Sequence, residues 1–360
     1  MKVTVIGGGN IGALMAADIA YRGHEVTLYT SKPEQWKKKI TVFNAEDELL
    51  RVGVVDKITN SMREAMEAAE VLFVTMPAPM FEELGEKMLP FIQRGQKIGI
   101  VPGAGGAEFA FRGLIERGGI LFGFQRVHSI ARLKKRGESV YELGRKASLK
   151  LGAIPAQEAA GISKITEELL DLPCDVLENY LSVNLTPSNS ILHTARLYAL
   201  LKGYRSGDTY PRNVLFYEEW SDASSEILLA CDRELQKLCR VIPLELSSVL
   251  SLRDYYESNT AAAMTKKIRS IPAFHGLLSP MKESKDGFVP DWDSRYFTAD
   301  FCYGLKVMKD IAKLFEVPTP NMDLVWDWYE STAPTENRKV FELNCTKDSF
   351  INLYRHMEGV

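Results

Sequence analysis

Three side chains in the second half of this 360-residue sequence are suited to proton transfer or anion binding: His193, Asp300 and Arg295. A histidine can accept and return a proton near neutral pH, and a carboxylate can orient its ring. A guanidinium binds a carboxylate through two parallel hydrogen bonds. The alternative interpretation is a structural histidine, an acid that stabilises a helix start and a surface arginine. Among the other histidines, His128 and His275 remain candidates.

The pair Thr186-Pro187 predicts the start of the helix that carries the histidine. Threonine would be the N-cap and proline the first helical residue. The helix should extend to about residue 202, before a glycine. His193 then lies in the second turn, on the same face as Asn189 and Arg196.

A second helix is predicted over Ala299–Phe315, with Thr298 as its N-cap. Asp300 would lie in the first turn, where the helix dipole favours an ionised carboxylate, and Arg295 would lie just before it. The apolar stripe of this helix consists of Phe301, Leu305, Met308, Ala312 and Phe315. Similar stripes predict helices over 221–239 and 244–256.

A glycine cluster near the start of the chain fits the pattern Gly-x-Gly-x-x-Gly between an apolar strand and a helix of small residues. Gly7 would form the tight turn, Gly9 would leave space for a pyrophosphate, and Gly12 would let the helix pack on the strand. The helix start at Asn10 and Ile11 would face the phosphates. The pattern predicts a dinucleotide site; the alternative is a turn that only joins strand to helix.

The end of the second strand indicates which dinucleotide binds. An NAD site usually has an acid there for the ribose hydroxyls, whereas this chain has Thr30, Ser31 and Lys32. Without the acid, a 2′-phosphate meets no repulsion and gains a cation and two hydroxyl donors. We therefore predict NADP in preference to NAD. The alternative is that these are solvated turn residues and that NAD binds through other contacts.

Further apolar strands are predicted at residues 71–76, 97–101 and 120–124, and charged helical stretches between residues 29 and 71. Ligands of parallel sheets bind at the carboxyl ends of strands, so Met76, Pro77 and Ala78 are expected beside the cofactor. Gln125, after the strand at 120–124, is expected in the substrate pocket. The alternative interpretation is that the proline and glycine residues after these strands only form ordinary loops and have no role in binding.

The order of these elements predicts two domains. Apolar strands alternate with amphipathic helices up to about residue 178, and helical periodicity dominates afterwards. We predict an α/β fold in which residues 1–178 form a Rossmann-type, doubly wound parallel sheet that binds a dinucleotide. Residues 179–360 would form an all-α C-terminal domain for substrate binding and catalysis.

Composition excludes several classes of partner. Lys+Arg 44 against Asp+Glu 47 gives a net charge of −3, so no basic field favours nucleic acid or an anionic membrane. Five scattered cysteines without a Cys-x-x-Cys pair indicate reduced thiols in the cytoplasm, and no metal-ligand cluster of the zinc type is present. No apolar run is long enough for a membrane span, and the first strand leaves no room for a signal peptide.

Three segments resemble the octopine/nopaline (opine) dehydrogenase family. Residues Val183–Tyr198 are similar to the family's Asn-x-x-x-His region, and Gly287–Asp300 to its Arg-Tyr-Phe-Thr-Glu-Asp block. Gly103–Phe109 is also similar, and the three segments occur in the same order across both domains. Ala299 stands where the family usually carries an acid, so a role for that carboxylate does not carry over.

The resemblance implies reductive condensation of an amino acid with a 2-oxo acid such as pyruvate, with NADP or NAD as cofactor. It implies that His193 is the general acid/base and that Asp300 orients it. From the chemistry of the residues we expect Arg295 to bind the 2-oxo acid carboxylate, with Asn189 and Gln125 as further substrate-binding residues. The partners would be small molecules. The sequence leaves the oligomeric state open, with a homodimer as one expectation.

Two other interpretations stay open. A 2-hydroxyacid or ketopantoate-type NADP dehydrogenase on the same two-domain plan would reduce a carbonyl directly, without an amine. A non-catalytic NADP-sensing protein would keep the glycine motif and need no acid/base residue. Oxidation of NADPH in mixtures of a 2-oxo acid and an amine separates these classes.

The absent acid at position 30 and the cation at Lys32 generate a prediction about cofactor choice. NADPH should bind more tightly than NADH, and Lys32→Ala should weaken NADPH binding selectively by about tenfold to hundredfold, because one charge-assisted contact is lost. Titration of both nucleotides against both proteins measures this. Equal or tighter binding of NADH by the unmutated protein would refute the prediction.

Overall fold

A glycine turn joins the first strand to a helix of small residues. In this computed structural model, which describes residues 1–334 and 338–355, Lys2–Ile6 forms strand β1 and Asn10–Tyr21 forms helix α1. Gly7 has a φ of +117°, which L side chains rarely adopt. A Cβ at Gly12 would overlap the carbonyl oxygen of Gly7, so only glycine lets α1 lie this close to the end of β1.

The strands within the described residues make two larger sheets and a hairpin. In chain order they are β1 Lys2–Ile6, β2 Glu25–Tyr29, β3 Lys39–Phe43, β4 Leu49–Val54, β5 Lys57–Thr59, β6 Val71–Val74, β7 Lys97–Ile100, β8 Ile120–Phe124, β9 Ser129–Lys135, β10 Ser139–Arg145, β11 Leu149–Ile154, β12 Cys174–Val176, β13 Met281–Ser284 and β14 Gly287–Pro290.

The first sheet has the order β12-β11-β8-β7-β6-β1-β2-β5, and its neighbouring strands are parallel except for β8 and β11. Ile6 of β1 pairs with Tyr29 of β2 on one side and Val74 of β6 on the other. The carboxyl ends of these three strands therefore meet at one edge of the sheet. Strands β2 and β6 lie on opposite sides of β1, so the strand order reverses its direction at β1. Ligands of this fold bind at such a switch point.

The second sheet, with the order β4-β3-β10-β9, packs against α1 and was not predicted. The charged helical stretches expected between residues 29 and 71 are largely wrong, because three strands, β3, β4 and β5, form there and α2, Met62–Met66, is the one α-helix of this fully described region. In β3, Ile40 and Val42 are buried and alternate with more exposed residues, so the period is two and not 3.6. The carboxylate of Asp18 on α1 accepts hydrogen bonds from Arg51 of β4 (2.6 Å) and Arg145 of β10 (3.1 Å).

Most of the α-helices within the described residues lie after residue 180. In chain order they are α1 Asn10–Tyr21, α2 Met62–Met66, α3 Phe81–Met88, α4 Ala107–Ala110, α5 Arg112–Glu116, α6 Ala159–Leu170, α7 Leu181–Asn184, α8 Ser188–Leu201, α9 Asp222–Val241, α10 Leu252–Tyr255, α11 Ala261–Arg269, α12 Arg295–Thr298, α13 Lys306–Leu314, α14 Pro320–Thr332 and α15 Lys347–Tyr354. A π-helical turn, Asp300–Leu305, precedes α13.

The chain divides into two compact units. The first comprises Met1–Asn184 and Ile351–Val360, and the second comprises Leu185–Phe350. The predicted functional division, residues 1–178 and 179–360, stays a prediction. The predicted fold class is confirmed: the first unit contains the largely parallel sheet, and the described residues of the second unit form helices and one hairpin, β13–β14.

Two predicted helices of the second unit differ in detail. Helix α8 begins at Ser188, one residue later than predicted, with Pro187 at the cap position. The helix predicted over residues 244–256 is wrong, because only α10 forms there. Ser251 is its N-cap and accepts a hydrogen bond from the backbone N–H of Asp254 at 3.0 Å, so the helix starts at this serine and not earlier.

A buried acid in the first unit joins three segments of the chain. Oε1 of Glu108, on α4, accepts hydrogen bonds from Nδ2 of Asn184 (2.8 Å) and the hydroxyl of Tyr354 (2.6 Å). The side-chain oxygen of Asn184 accepts from the backbone N–H groups of Gly105 and Gly106, both at 3.1 Å. Burial raises the pKa of Glu108 to about 7, against the opposing effect of these hydrogen bonds.

This acid predicts a pH dependence of stability. The folded-state pKa of Glu108 lies above its ordinary value of 4.5, so the unfolded chain binds fewer protons between pH 4.5 and about 7. The contribution of Glu108 to stability should therefore be present below pH 4.5 and fall as the pH rises to about 7, by on the order of 3 kcal/mol at most. Glu108→Gln should flatten this part of the profile.

Urea denaturation between pH 4.5 and 8 measures the effect of Glu108→Gln. The matched control is Glu116→Gln, because the Glu116 side chain on α5 is exposed and should leave the profile unchanged. A profile that is the same in Glu108→Gln and the unmutated protein would contradict the prediction.

Candidate active site

His193 and Asp300 form a hydrogen-bonded pair in the second unit. Nδ1 of His193 lies 2.7 Å from Oδ2 of Asp300, a distance typical of a charge-assisted hydrogen bond. His193 lies in the second turn of α8 and is only 5% exposed. Because an ionised carboxylate can only accept a hydrogen bond, Nδ1 is the protonated nitrogen of the neutral ring, and Nε2 carries the lone pair.

A π-helical turn places Asp300 opposite His193. In the turn Asp300–Leu305, the backbone N–H of Gly304 donates to a carbonyl five residues earlier, at 3.0 Å. A Cβ at Gly304 would lie 2.6 Å from Oγ of Ser190 on α8. Glycine at this position therefore lets the turn approach α8 closely enough for the carboxylate to reach the imidazole.

The predicted N-cap at Thr298 is wrong. Helix α12 starts at Arg295, and the N-cap is Ser294, whose hydroxyl accepts from the backbone N–H of Tyr296 at 3.5 Å. Thr298 instead donates its hydroxyl to the carbonyl of Ser294 at 3.2 Å, within the helix. Asp300 consequently follows α12 and is the first residue of the π-helical turn, whose cap position is Ala299. The predicted position of Asp300 in a first turn is therefore confirmed, but that turn is π-helical and is not capped by Thr298.

Tyr217 contacts the other ring nitrogen of the histidine and was not predicted from the sequence. Its hydroxyl lies 2.8 Å from Nε2 of His193. Tyr217 is 5% exposed, and burial raises its pKa well above its ordinary value, so it is a neutral phenol that donates to the unprotonated Nε2. It belongs to an irregular segment before α9, where no periodic pattern could relate it to His193.

A buried arginine fixes the segment that carries Tyr217. Arg196 lies one turn after His193 on α8 and is 3% exposed. Its guanidinium donates to the carbonyls of Phe216 and Glu219, both at 2.9 Å. Burial lowers the pKa of Arg196 to about 10, so the group stays charged at neutral pH. Arg196 lies on the same face of the helix as His193, as predicted, and from there it positions the segment that carries Tyr217.

Aromatic rings enclose the histidine. The ring of Tyr296 lies 4.6 Å from the imidazole between centroids, and that of Phe216 lies 5.5 Å away edge-on. Phe274 stacks on Tyr217 at 4.0 Å. These rings exclude water from a site in which a carboxylate, an imidazole and a phenol form one hydrogen-bonded chain. Such a chain can move a proton between a bound group and the imidazole.

The predicted substrate-binding residues lie in different places. Arg295 is exposed at the start of α12, with its guanidinium 5.8 Å from the ring centroid of Tyr296. Asn189 is exposed on α8, one turn before His193. Gln125 lies in the first unit, where its side-chain amide donates to the carbonyl of Ser182 at 3.1 Å.

The other candidate histidines are placed differently. His128 is fully buried in the first unit, 3.8 Å from a carboxylate oxygen of Asp18. Burial lowers the pKa of His128 to about 4, so it is neutral near pH 7. His275 is exposed in a short segment after a 3₁₀ turn. Neither has the carboxylate and phenol partners of His193.

The predicted dinucleotide residues meet at one edge of the first sheet. The glycine turn follows β1, Thr30 follows β2, and Met76 to Ala78 follow β6, and these three strands are neighbours. A Cβ at Gly9 would have no atom within 4 Å, so this glycine borders open space. The first backbone N–H groups of α1, at Asn10, Ile11 and Gly12, have no acceptor within the helix, and its first turn contains no acid. This arrangement fits a pyrophosphate group.

The residues at the ends of β2 and β6 differ in accessibility. Ser31 and Lys32 are exposed, whereas Thr30 is buried and its hydroxyl oxygen accepts from the backbone N–H of Lys32 at 3.5 Å. Thr75, which was not predicted, donates its hydroxyl to the carbonyls of Ile6 (3.1 Å) and Gly7 (3.3 Å). It thereby ties the glycine turn to the neighbouring strand.

Metal sites and membrane spans are absent from the described part of the chain. Within residues 1–334 and 338–355, no group of three or more histidine, cysteine, aspartate or glutamate side chains is placed to hold a metal ion. No helix in these ranges is long and apolar enough to cross a membrane.

Two family models match successive parts of the chain. Residues 176–333 match the model described as NAD/NADP octopine/nopaline dehydrogenase, alpha-helical domain. Residues 3–156 match the model described as ketopantoate reductase PanE/ApbA. The first match contains His193, Tyr217 and Asp300, and the second contains the glycine turn. The predicted resemblance to the octopine/nopaline dehydrogenases is confirmed.

Similar proteins cover nearly the whole chain. The octopine dehydrogenase of Mizuhopecten yessoensis is 27% identical over 91% of this chain and 89% of its own length. A solved octopine dehydrogenase structure described with NADH and L-arginine has a TM-score of 0.84 and 24% identity, with all of both chains covered. One described with NADH and pyruvate has a TM-score of 0.80 and 25% identity over 92% of this chain and 88% of the other.

The contacts of Arg196 generate a stability prediction. Arg196→Met keeps the length of the side chain but removes the two hydrogen bonds to backbone carbonyls, so the free energy of unfolding should fall by about 2–4 kcal/mol. Urea denaturation measures this. The matched control is Arg212→Met, which removes an exposed guanidinium paired with Glu219 and should have little effect. Equal stability of the two variants would contradict the role given to Arg196.

Proposed function

We propose that this chain, whose residues 176–333 match the model of the octopine/nopaline dehydrogenase alpha-helical domain, condenses an amino acid with a 2-oxo acid and reduces the resulting imine. The product would be an N-(carboxyalkyl) amino acid, as expected of an opine dehydrogenase-type oxidoreductase. The observation that carries this proposal is the hydrogen-bonded pair of His193 and Asp300, inside the segment that matches the family. Relatives named for octopine and tauropine support it.

The condensation needs one group that works as a base and then as an acid. The ammonium of the amino acid first loses a proton to His193, and the free amine then attacks the keto carbon. One amine proton moves to the former keto oxygen, which becomes a hydroxyl. The protonated His193 then gives its proton to this hydroxyl as the C–O bond breaks and water leaves. Asp300 holds Nδ1–H of the ring throughout and stabilises the imidazolium.

The substrate carboxylate needs a cation close to the acid/base pair. Arg295 is the exposed guanidinium beside Tyr296, whose ring touches the imidazole. We assign it the carboxylate of the 2-oxo acid, because its planar donors match both oxygens. Asn189 supplies a neutral amide one turn before His193, and Gln125 is retained as a candidate from the first unit. The amino acid bound stays open.

The residues of the first unit fit a nicotinamide dinucleotide. Gly7, Gly9 and the helix start at Asn10 to Gly12 would hold the pyrophosphate, and Met76 to Ala78 would border the nicotinamide half. Ser31 and Lys32 are the exposed residues that would meet a 2′-phosphate, which favours NADP, with NAD as the alternative. When bound, the reduced cofactor supplies the hydride for the imine carbon.

The proposal is tested by the oxidation of NADPH and NADH across a matrix of amino acids against pyruvate and 2-oxoglutarate. Oxidation that requires both an amine and an oxo acid, with a secondary amine product identified by mass spectrometry, is the expected result. The match of residues 3–156 to ketopantoate reductase favours one alternative, a direct carbonyl reductase. Oxidation at the same rate without any amine would establish that alternative instead.

The assignment of the acid/base pair predicts non-additive losses. His193→Ala and Asp300→Asn should each lower turnover by about two to four orders of magnitude while leaving nucleotide binding intact. The double variant should be little worse than either single one, because the two residues act as a unit. Steady-state kinetics and nucleotide titration measure both. Multiplied losses in the double variant would show that the residues act independently.

A further inference from the structure

Both ring nitrogens of His193 are already occupied by protein groups. Asp300 holds Nδ1 at 2.7 Å and the hydroxyl of Tyr217 lies 2.8 Å from Nε2. The imidazole is nearly inaccessible to solvent, with the rings of Phe216 and Tyr296 packed against it. A substrate can therefore exchange a proton with Nε2 in one of two ways. Either Tyr217 moves away and the substrate contacts Nε2 directly, or Tyr217 stays and the proton passes through its hydroxyl.

The phenol of Tyr217 is held in place from two sides. Phe274 stacks on its ring at 4.0 Å with an interplanar angle of 16°. The backbone on either side of it is fixed by Arg196, through the carbonyls of Phe216 and Glu219. Displacing this side chain would break the stacking and leave Nε2 without a donor in a buried site, which is costly. The packing thus favours a phenol that stays.

Two charged side chains that the proposed reaction uses act electrostatically on the phenol of Tyr217. Burial is the largest cause of the raised pKa of Tyr217, and of the charged side chains Asp300 raises it further while Arg295 lowers it. Arg295 is also the residue assigned to the 2-oxo acid carboxylate. The Arg295 guanidinium lies 5.8 Å from the ring centroid of Tyr296, whose ring packs against the imidazole at 4.6 Å, so a 2-oxo acid bound to Arg295 would lie near the hydrogen-bonded His193 and Tyr217.

We propose that Tyr217 is a catalytic residue that relays protons between the substrates and Nε2 of His193. The relay rests on the proposed function. In the forward direction, the substrate ammonium gives a proton to the phenol oxygen while the phenol gives its own proton to Nε2. When water leaves, the imidazolium returns a proton to the phenol oxygen and the phenol protonates the departing hydroxyl. The phenol ends each transfer neutral, so its high pKa is no obstacle.

Tyr217→Phe distinguishes a relay from a gate, that is, from a side chain that must move aside before a substrate reaches Nε2. The two roles predict opposite changes in turnover. A relay predicts that turnover falls by about one hundredfold or more, because His193 no longer reaches the substrate. A gate that must move aside predicts unchanged or faster turnover once its hydroxyl is removed. The ring that stacks on Phe274 is retained, so the fold should persist. Tyr198→Phe removes a hydroxyl from the same helix as His193, beside Trp328, and is the matched control.

A second measurement separates a relay from a structural role. Turnover is measured in mixtures of light and heavy water. In the unmutated enzyme, turnover should depend on the deuterium fraction along a curve, because two protons move in one step. In Tyr217→Phe the dependence should be linear. Unchanged or faster turnover in Tyr217→Phe, or a linear dependence in the unmutated enzyme, overturns the relay alone. Failure of the unmutated enzyme with every amine and oxo acid overturns the proposed function and the relay with it.

Discussion

The hydrogen bond between His193 and Asp300 is the constraint on which the second unit depends. It requires a carboxylate on one segment to reach a nearly buried imidazole on another, to within 2.7 Å. The π-helical turn and the closely packed Gly304 satisfy that requirement in the backbone. Because the carboxylate fixes the proton on Nδ1, the lone pair on Nε2 has a defined direction, and Tyr217 is placed along it.

The same physical solution recurs in the first unit. Glycine occupies positions at which two backbone segments approach closely. Gly12 lies against the turn after β1, and Gly304, in the second unit, lies against α8. Buried polar groups are paired across distant segments, with Arg196 on the carbonyls around Tyr217 and Asn184 on Gly105 and Gly106. Each such pairing avoids the cost of an unsatisfied buried group and thereby specifies one arrangement of an irregular segment.

Local sequence signals predicted those parts of the protein in which neighbours in sequence are neighbours in space. The glycine turn, α1 and the strands β1, β2, β6, β7 and β8 are of this kind, and so is the helix that carries His193. The Thr298 cap failed because Ser294 competes for the same role four residues earlier. The strands β3 and β4 were missed because their charged residues were interpreted as helical. Their alternation, visible in β3, was the available signal.

The site itself was predicted in part and for a different reason. Asp300 and His193 are 107 residues apart, and only the resemblance to a family linked them. Tyr217 and Thr75 had no such signal, because each acts through a single hydroxyl whose partner no motif or spacing in the sequence indicates. Residues of this kind are specified by tertiary packing. Arg196 illustrates the difference: its spacing from His193 was apparent, but its partners, two backbone carbonyls, were not.

The hydrogen-bonded pair is tested most directly by the ¹⁵N NMR spectrum of histidine-labelled protein, with His193 assigned by its loss in His193→Gln. At a pH where the ring is neutral, we expect a proton on Nδ1 and an unprotonated Nε2 that accepts a hydrogen bond. Asp300→Asn should weaken that preference, because the tautomer is set by the partner at the other nitrogen. A neutral His193 protonated on Nε2, with a spectrum unaffected by Asp300→Asn, would contradict the role given to this pair.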